Sequence, residues 1–121
     1  MLKLDILITR RHDMNHAEFE AYWRDRHVAL FVSQPIVKKT VRRYLQSRTV
    51  PAVPQGMPAA PFDGIAQLWF DDAAGFLEYL HSSNYKEVIQ LDEQKFVDAA
   101  RTQYLFSEET TVIAGSDVLA A

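Results

Sequence analysis

The 121-residue sequence predicts an α+β domain with ferredoxin-like βαββαβ order, an antiparallel sheet and its helices gathered on one face. Three observations lead there. Period-two apolar alternation marks strands near both ends and in the middle of the chain, a capped helix with an aromatic stripe follows the first strand, and the connections are short. Such a sheet leaves one face bare with apolar side chains on several strands. A second copy laid sheet to sheet would cover it, so a homodimer closing a dimeric α/β barrel is expected.

Leu2, Leu4, Ile6 and Ile8 alternate with Lys3 and Asp5, the pattern of a half-buried strand. Asn15 and Glu18 have the spacing of a capping box and start a helix over 15–31. Within it Phe19, Trp23, His27 and Phe31 recur every four residues, so the stripe faces one way and His27 occupies an apolar position. Gln34-Pro35 ends this helix and a connector follows. The second strand spans 40–50, with Val41 and Leu45 on one face and Tyr44 on the other. Four prolines between 51 and 61 make an irregular loop, read as a surface excursion or as a lid. Phe62-Asp63-Gly64 opens a third strand, apolar on both faces, through Phe70. Asp71-Asp72 caps a helix over 73–81 with Phe76, Leu77 and Leu80 inward, and another helix over 85–95 carries Val88, Ile89 and Leu91. Residues 101–113 form the last strand. Residues 1–113 are thus one domain and 114–121 a loose tail.

Composition narrows the function. An apolar content of 48% supports an ordinary core, while a net charge of −3 argues against nucleic acid as a partner, since phosphate binding needs a clustered positive field. The short basic run Lys38 to Arg43 reads as a solvated strand entry. With no cysteine, disulfides, thiolate metal sites and cysteine nucleophiles are excluded. His12 and His16 are four apart but lack a third ligand, so no metal is expected. The N-terminus alternates like a strand rather than a leader, and no apolar run nears the ~20 residues of a membrane helix. A cytoplasmic protein without membrane contact is the expectation.

Glu18-Phe19, Tyr22-Trp23-Arg24 and His27, then Phe62 to Ala66, Leu68 to Asp71, Phe96-Val97-Asp98 with Arg101, and Glu108-Glu109 together resemble the EthD family of dimeric α/β-barrel proteins over nearly all of the chain to Ile113. The resemblance implies a cofactor-independent site for a small-molecule substrate between helices and sheet. Relatives on this scaffold are linked to ether degradation, oxygenation of anthrone-type aromatics and lactone isomerisation. In the methylmuconolactone isomerases the helix histidine matches His27 and a second-strand tyrosine matches Tyr44, but their third-strand cysteine is Leu68 here.

Each candidate has two readings. His27 is either a core histidine bonded to backbone or a general acid/base, an imidazole titrating near neutrality by itself at ~6.5; the resemblance favours the second. Tyr44 is a sheet-facing aromatic or a phenol in a cavity. Trp23 and Trp69 are core indoles or stacking platforms for substrate, and Arg101 is the partner of Asp98 or Asp63 or of a developing oxyanion. Tyr85 is a surface residue or the rim of the pocket. Asp92, Glu93 and Asp98 are read as solvated, and His81 as complementing a helix dipole. The function expected is acid/base chemistry by His27 and Tyr44, oxygenase-like, on a small hydrophobic oxygenated substrate, aromatic or lactone, with Trp23, Trp69, Arg101 and Tyr85 binding it. Lyase or isomerase chemistry, or binding without chemistry, are the alternatives.

Overall fold

A computed structural model describes residues 1–115, so the expected tail lies almost wholly outside the described residues. Strands β1 (Leu2–Ile8), β2 (Val41–Arg48), β3 (Gly64–Phe70) and β4 (Gln103–Ser107) form one sheet in the order β2-β3-β1-β4, every neighbouring pair antiparallel. This is the ferredoxin-like fold. Leu4 pairs with Leu68 and Phe106, and Ile6 with Ala66 and Tyr104, so even-numbered residues of β1, β3 and β4 share the face beneath the helices. Odd-numbered Lys3, Leu7, Ile65, Trp69 and Leu105 share the other.

The aromatic stripe folds as expected but not as one α-helix. Asn15 makes both bonds of the capping box with Glu18, α1 runs over His16–Ala21, a π-helical segment over Tyr22–His27, and α2 over Val28–Ser33. A strict four-residue repeat drifts by about 40° per step in a helix of 3.6 residues per turn. The wider π turn takes back that drift, which keeps Phe19, Trp23, His27 and Phe31 all buried on one face. Where a connector was expected, Pro35 sits at the first position of a further helix, α3 (Pro35–Thr40). Proline ends one helix and is well suited to begin the next, because its missing N–H is one the first turn leaves unused.

Four further expectations are corrected. A β-bulge between Val41 and Arg43 inverts the alternation of β2, so Val41 joins Tyr44 on the helix side and Leu45 faces away. In α4 (Ala73–Leu80), Tyr79 is buried and Leu77 is exposed. The last helical stretch is a π segment (Tyr85–Ile89) followed by α5 (Gln90–Glu93), and it buries Ile89 and Asp92 while Leu91 is exposed; Phe96 is buried in the turn just beyond it. Strand β4 is five residues long, and Val112 and Ile113 are solvent-exposed.

The core lies between the helices and the even face of the sheet, built on Leu4, Phe19, Trp23, Leu68, Phe70 and Phe96. Phe19 stacks on Trp23 with centroids 5.4 Å apart. Gly64 is required where the indole meets β3: a Cβ there would lie 2.6 Å from Trp23 Cζ3. Residues of the proline-rich loop border a concavity with Leu7 and Ile65, on the face away from the helices, so the loop does not cover the helix-side core.

Candidate functional site

His27 emerges from the π segment into the layer between helices and sheet, its ring 4.9 Å from Phe96 and 5.9 Å from Phe31. Its Nδ1 is 2.8 Å from Asp92 Oδ2, and the Tyr22 hydroxyl donates to Asp92 Oδ1 at 2.5 Å. A carboxyl oxygen is an acceptor, so the contact assigns the proton to Nδ1. Nε2 has no hydrogen-bond partner among the described residues, and His27 lines a hollow of about 30 Å³ with Trp23, Phe31, Tyr44, Glu93 and Tyr104. That is room for water, not for a drug-sized ligand.

Electrostatics follow from burial. Burial pushes the His27 imidazole below its ordinary value and the Asp92 carboxyl pulls it back only in part, which favours a neutral ring with a free base nitrogen. Burial and then Asp92 push the Tyr22 phenol up to about 12. The Tyr44 phenol also rises to about 12, chiefly through burial; Gln46 Nε2 donates to its oxygen at 2.9 Å and opposes the rise. Tyr44 therefore stays a proton-bearing donor near neutrality.

Glu93, one residue beyond Asp92, reaches the same hollow. The residue is only partly buried, yet its Oε1 is shut off from solvent and has no hydrogen-bond partner. Burial raises its carboxyl to about 7, with the Tyr85 phenol lowering it and the charge of Asp92 adding to the rise. A groove of about 110 Å³ adjoins the hollow, shares Glu93, Val97 and Tyr104 with it, and is edged by Tyr85 and Gln94.

The structure thus brings together His27, Tyr44 and Trp23, and places Tyr85 at the adjoining groove. Trp69 and Arg101 are elsewhere. Trp69 is odd-numbered in β3 and so points to the opposite face, where Arg43 and Lys3 lie over its ring and its Nε1 donates to Glu109. Arg101 is an exposed side chain 3.8 Å from Asp98, while Asp63 is taken by Arg10 and His16. Asp92 and Glu93 are corrected from solvated to buried or half-buried. Periodicity carried the signal for both: they stand three and four residues after buried Ile89, and four and three before buried Phe96.

Elsewhere, a wider concavity, about 720 Å³ between α3 and the end of α4, is open to solvent and flanked by Lys39, Glu78 and His81. The hollow beside His27 is the smaller space, but it has the buried titratable groups and so is the better candidate. Among the described residues no three His, Cys, Asp or Glu side chains cluster as a metal site, and no helix is long and apolar enough to cross a membrane.

Solved structures of the same fold include an ethyl tert-butyl ether degradation (EthD) family protein from Bacillus halodurans, with a TM-score of 0.67 at 20% identity over 91% of this chain and 99% of that one. A dimeric ferredoxin-like protein of unknown function from Bacteroides fragilis superposes with a TM-score of 0.62 at 11% identity, covering 89% and 95%. SnoaB, a cofactor-independent oxygenase from Streptomyces nogalater solved as a mutant, gives 0.62 at 14% identity, covering 94% and 97%. At these identities the likeness is one of fold. No curated protein sequence matches. The EthD domain matches residues 11–100, three quarters of the sequence, and the chain belongs to the EthD family.

Proposed function

We propose that this EthD protein is a cofactor-independent enzyme in which His27 removes a proton from an acidic carbon or hydroxyl of a small hydrophobic oxygenated substrate, as the first step of an oxygenase-type reaction. The observation that carries this reading is the Tyr22–Asp92–His27 chain of hydrogen bonds, which ends on an unengaged Nε2 at a hollow. A carboxyl group on Nδ1 fixes the tautomer, orients the ring and stabilises the imidazolium that forms when Nε2 takes a proton. Tyr44, held protonated, can donate to the oxygen on which the resulting charge settles. Trp23 supplies an apolar wall. The hollow as it stands holds no organic substrate, so binding has to open it from the adjoining groove, where Tyr85 stands.

The SnoaB likeness supports oxygenation as the class, with dioxygen as co-reactant and the substrate carbanion as the electron source. Leu68 argues against a cysteine-dependent isomerase, since it is an apolar side chain 2% exposed in the core. Self-association completes the reading. The odd face of the sheet carries Leu7, Ile65 and Leu105 outside the helical layer, and a second copy would cover them, as expected for a protein whose fold is shared by the dimeric neighbour.

Oxygen-uptake measurements across hydroxylated aromatic and lactone compounds test the proposal. Wild-type protein should turn over a member of such a panel, and His27→Ala should lose about 10²-fold or more of that rate while still binding it. Full rate in His27→Ala would refute the base assignment, and binding without turnover by the wild type would leave a ligand-binding protein.

A further inference from the structure

Glu93 faces the hollow, yet the proposed chemistry has no use for it. Its Oε1 is cut off from water and unpartnered, an arrangement that costs a few kcal/mol in a resting protein and that native structures seldom keep without a reason. It stands where hollow and groove meet, belonging to the wall of both. Tyr44 of β2, Tyr79 of α4 and Tyr104 of β4 line the hollow with it, and Tyr85 of the second π segment lines the groove with it, its phenol near enough to lower the carboxyl. Asp92 precedes it on α5, and His27 faces it from the first π segment. The surroundings are aromatic, with one polar oxygen left over.

We infer that Glu93 Oε1 is a substrate-binding group that accepts a hydrogen bond from a phenolic or enolic hydroxyl of a single-ring or similarly narrow substrate lying in the groove between Tyr85, Val97 and Tyr104. This deepens the proposed function and rests on it for the chemistry, but not for the binding. The groove, about 110 Å³, approaches the roughly 150 Å³ of an apolar cavity that takes up benzene. Oε1 is shut off in the resting protein, so a ring in the groove reaches it as binding opens the wall that groove and hollow share. The contact selects hydroxylated rings over their methyl ethers, because an ether has no proton to give and would leave Oε1 buried and bare.

The test uses p-cresol and its methyl ether, 4-methylanisole, titrated into the full chain and followed by NMR shift changes at pH 8 and pH 5.5. With Glu93 ionised at pH 8, cresol should bind about tenfold tighter than the ether, as befits a hydrogen bond to a charged acceptor. The preference should shrink at pH 5.5 with Glu93 protonated. Glu93→Gln keeps the shape and should lose the pH dependence, and Glu93→Leu should bring the ratio near one. His27→Ala should keep the preference, so failure of the base assignment leaves this result intact and the reverse also holds. Equal binding of the two probes by the wild type, a preference that persists in Glu93→Leu, or no binding of either probe would overturn the inference.

Discussion

Two histidine–aspartate pairs in this chain have the same length and opposite surroundings. His16 Nδ1 is 2.8 Å from Asp63 and His27 Nδ1 is 2.8 Å from Asp92. In the first, the carboxyl also accepts from the Arg10 backbone N–H and guanidinium, the other imidazole nitrogen lies 3.3 Å from Glu20, and the histidine side chain is 37% exposed. Both carboxyl oxygens accept hydrogen bonds and the outer imidazole nitrogen lies beside a second carboxyl, and the cluster ties the end of β1 to the start of α1 and to the loop entering β3. In the second, the histidine side chain is 8% exposed, its outer nitrogen has no hydrogen-bond partner among the described residues, and the residue lines a hollow. Contact distance does not tell the two pairs apart. What separates them is whether an atom of the pair is left with nothing to do.

The largest effect that breaks this comparison is on rate. His27→Ala and Asp92→Asn should each lower turnover by on the order of 10²-fold or more, because one removes the base and the other its orientation. His16→Ala should leave the rate constant per folded molecule unchanged. Next comes stability: Asp63→Ala removes the hydrogen bonds that its buried carboxyl accepts from Arg10 and His16 and should cost about 1–3 kcal/mol in denaturant unfolding with turnover of the folded fraction retained.

The pH dependence sharpens the contrast further. Glu93 at about 7 binds its proton more tightly folded than unfolded, where the ordinary value is 4.5. Its contribution is therefore favourable below pH 4.5 and is lost as pH rises through 7, about 3 kcal/mol in all. Glu93→Gln should accordingly be more stable than the wild type at pH 8 and lose that advantage at pH 4. His27 acts in the opposite sense, since its lowered value means that the unfolded chain takes up the proton first as pH falls below ~6.5. Its neutral form holds the fold together above that point, and His27→Phe should flatten this acid limb of the stability curve.

Smaller is the effect of Gly64→Ala. The added Cβ would collide with the Trp23 ring, so calorimetry should show a loss of about 1–3 kcal/mol from overpacking. Since Trp23 also lines the hollow, some change in substrate affinity should accompany it.

Much of the molecule is legible in its residues. The four-residue stripe places His27 inside, the Asn15–Glu18 pair places the helix start, and alternation places the strands. Tyr44 keeps two faces to choose from, because a bulge at Val41 to Arg43 leaves no mark in a two-residue alternation. Trp69 enters the expected site by its type alone; its odd position in β3 decides against it once the register is known. Asp92 and Glu93 escape a reading that equates charge with solvent, although both stand at core positions between Ile89 and Phe96. A carboxyl at an apolar phase of a helix should be weighed in the same way as a histidine there.

The proposed chemistry requires that His27 present a neutral imidazole with its proton on Nδ1, tied to Asp92, and a bare Nε2 towards the hollow. Long-range 1H–15N correlation of the histidine side chains reads this directly. The expected result for His27 is the Nδ1–H tautomer at pH 7 and a midpoint below 6.5. An Nε2–H tautomer, or an imidazolium persisting at neutral pH, would contradict it.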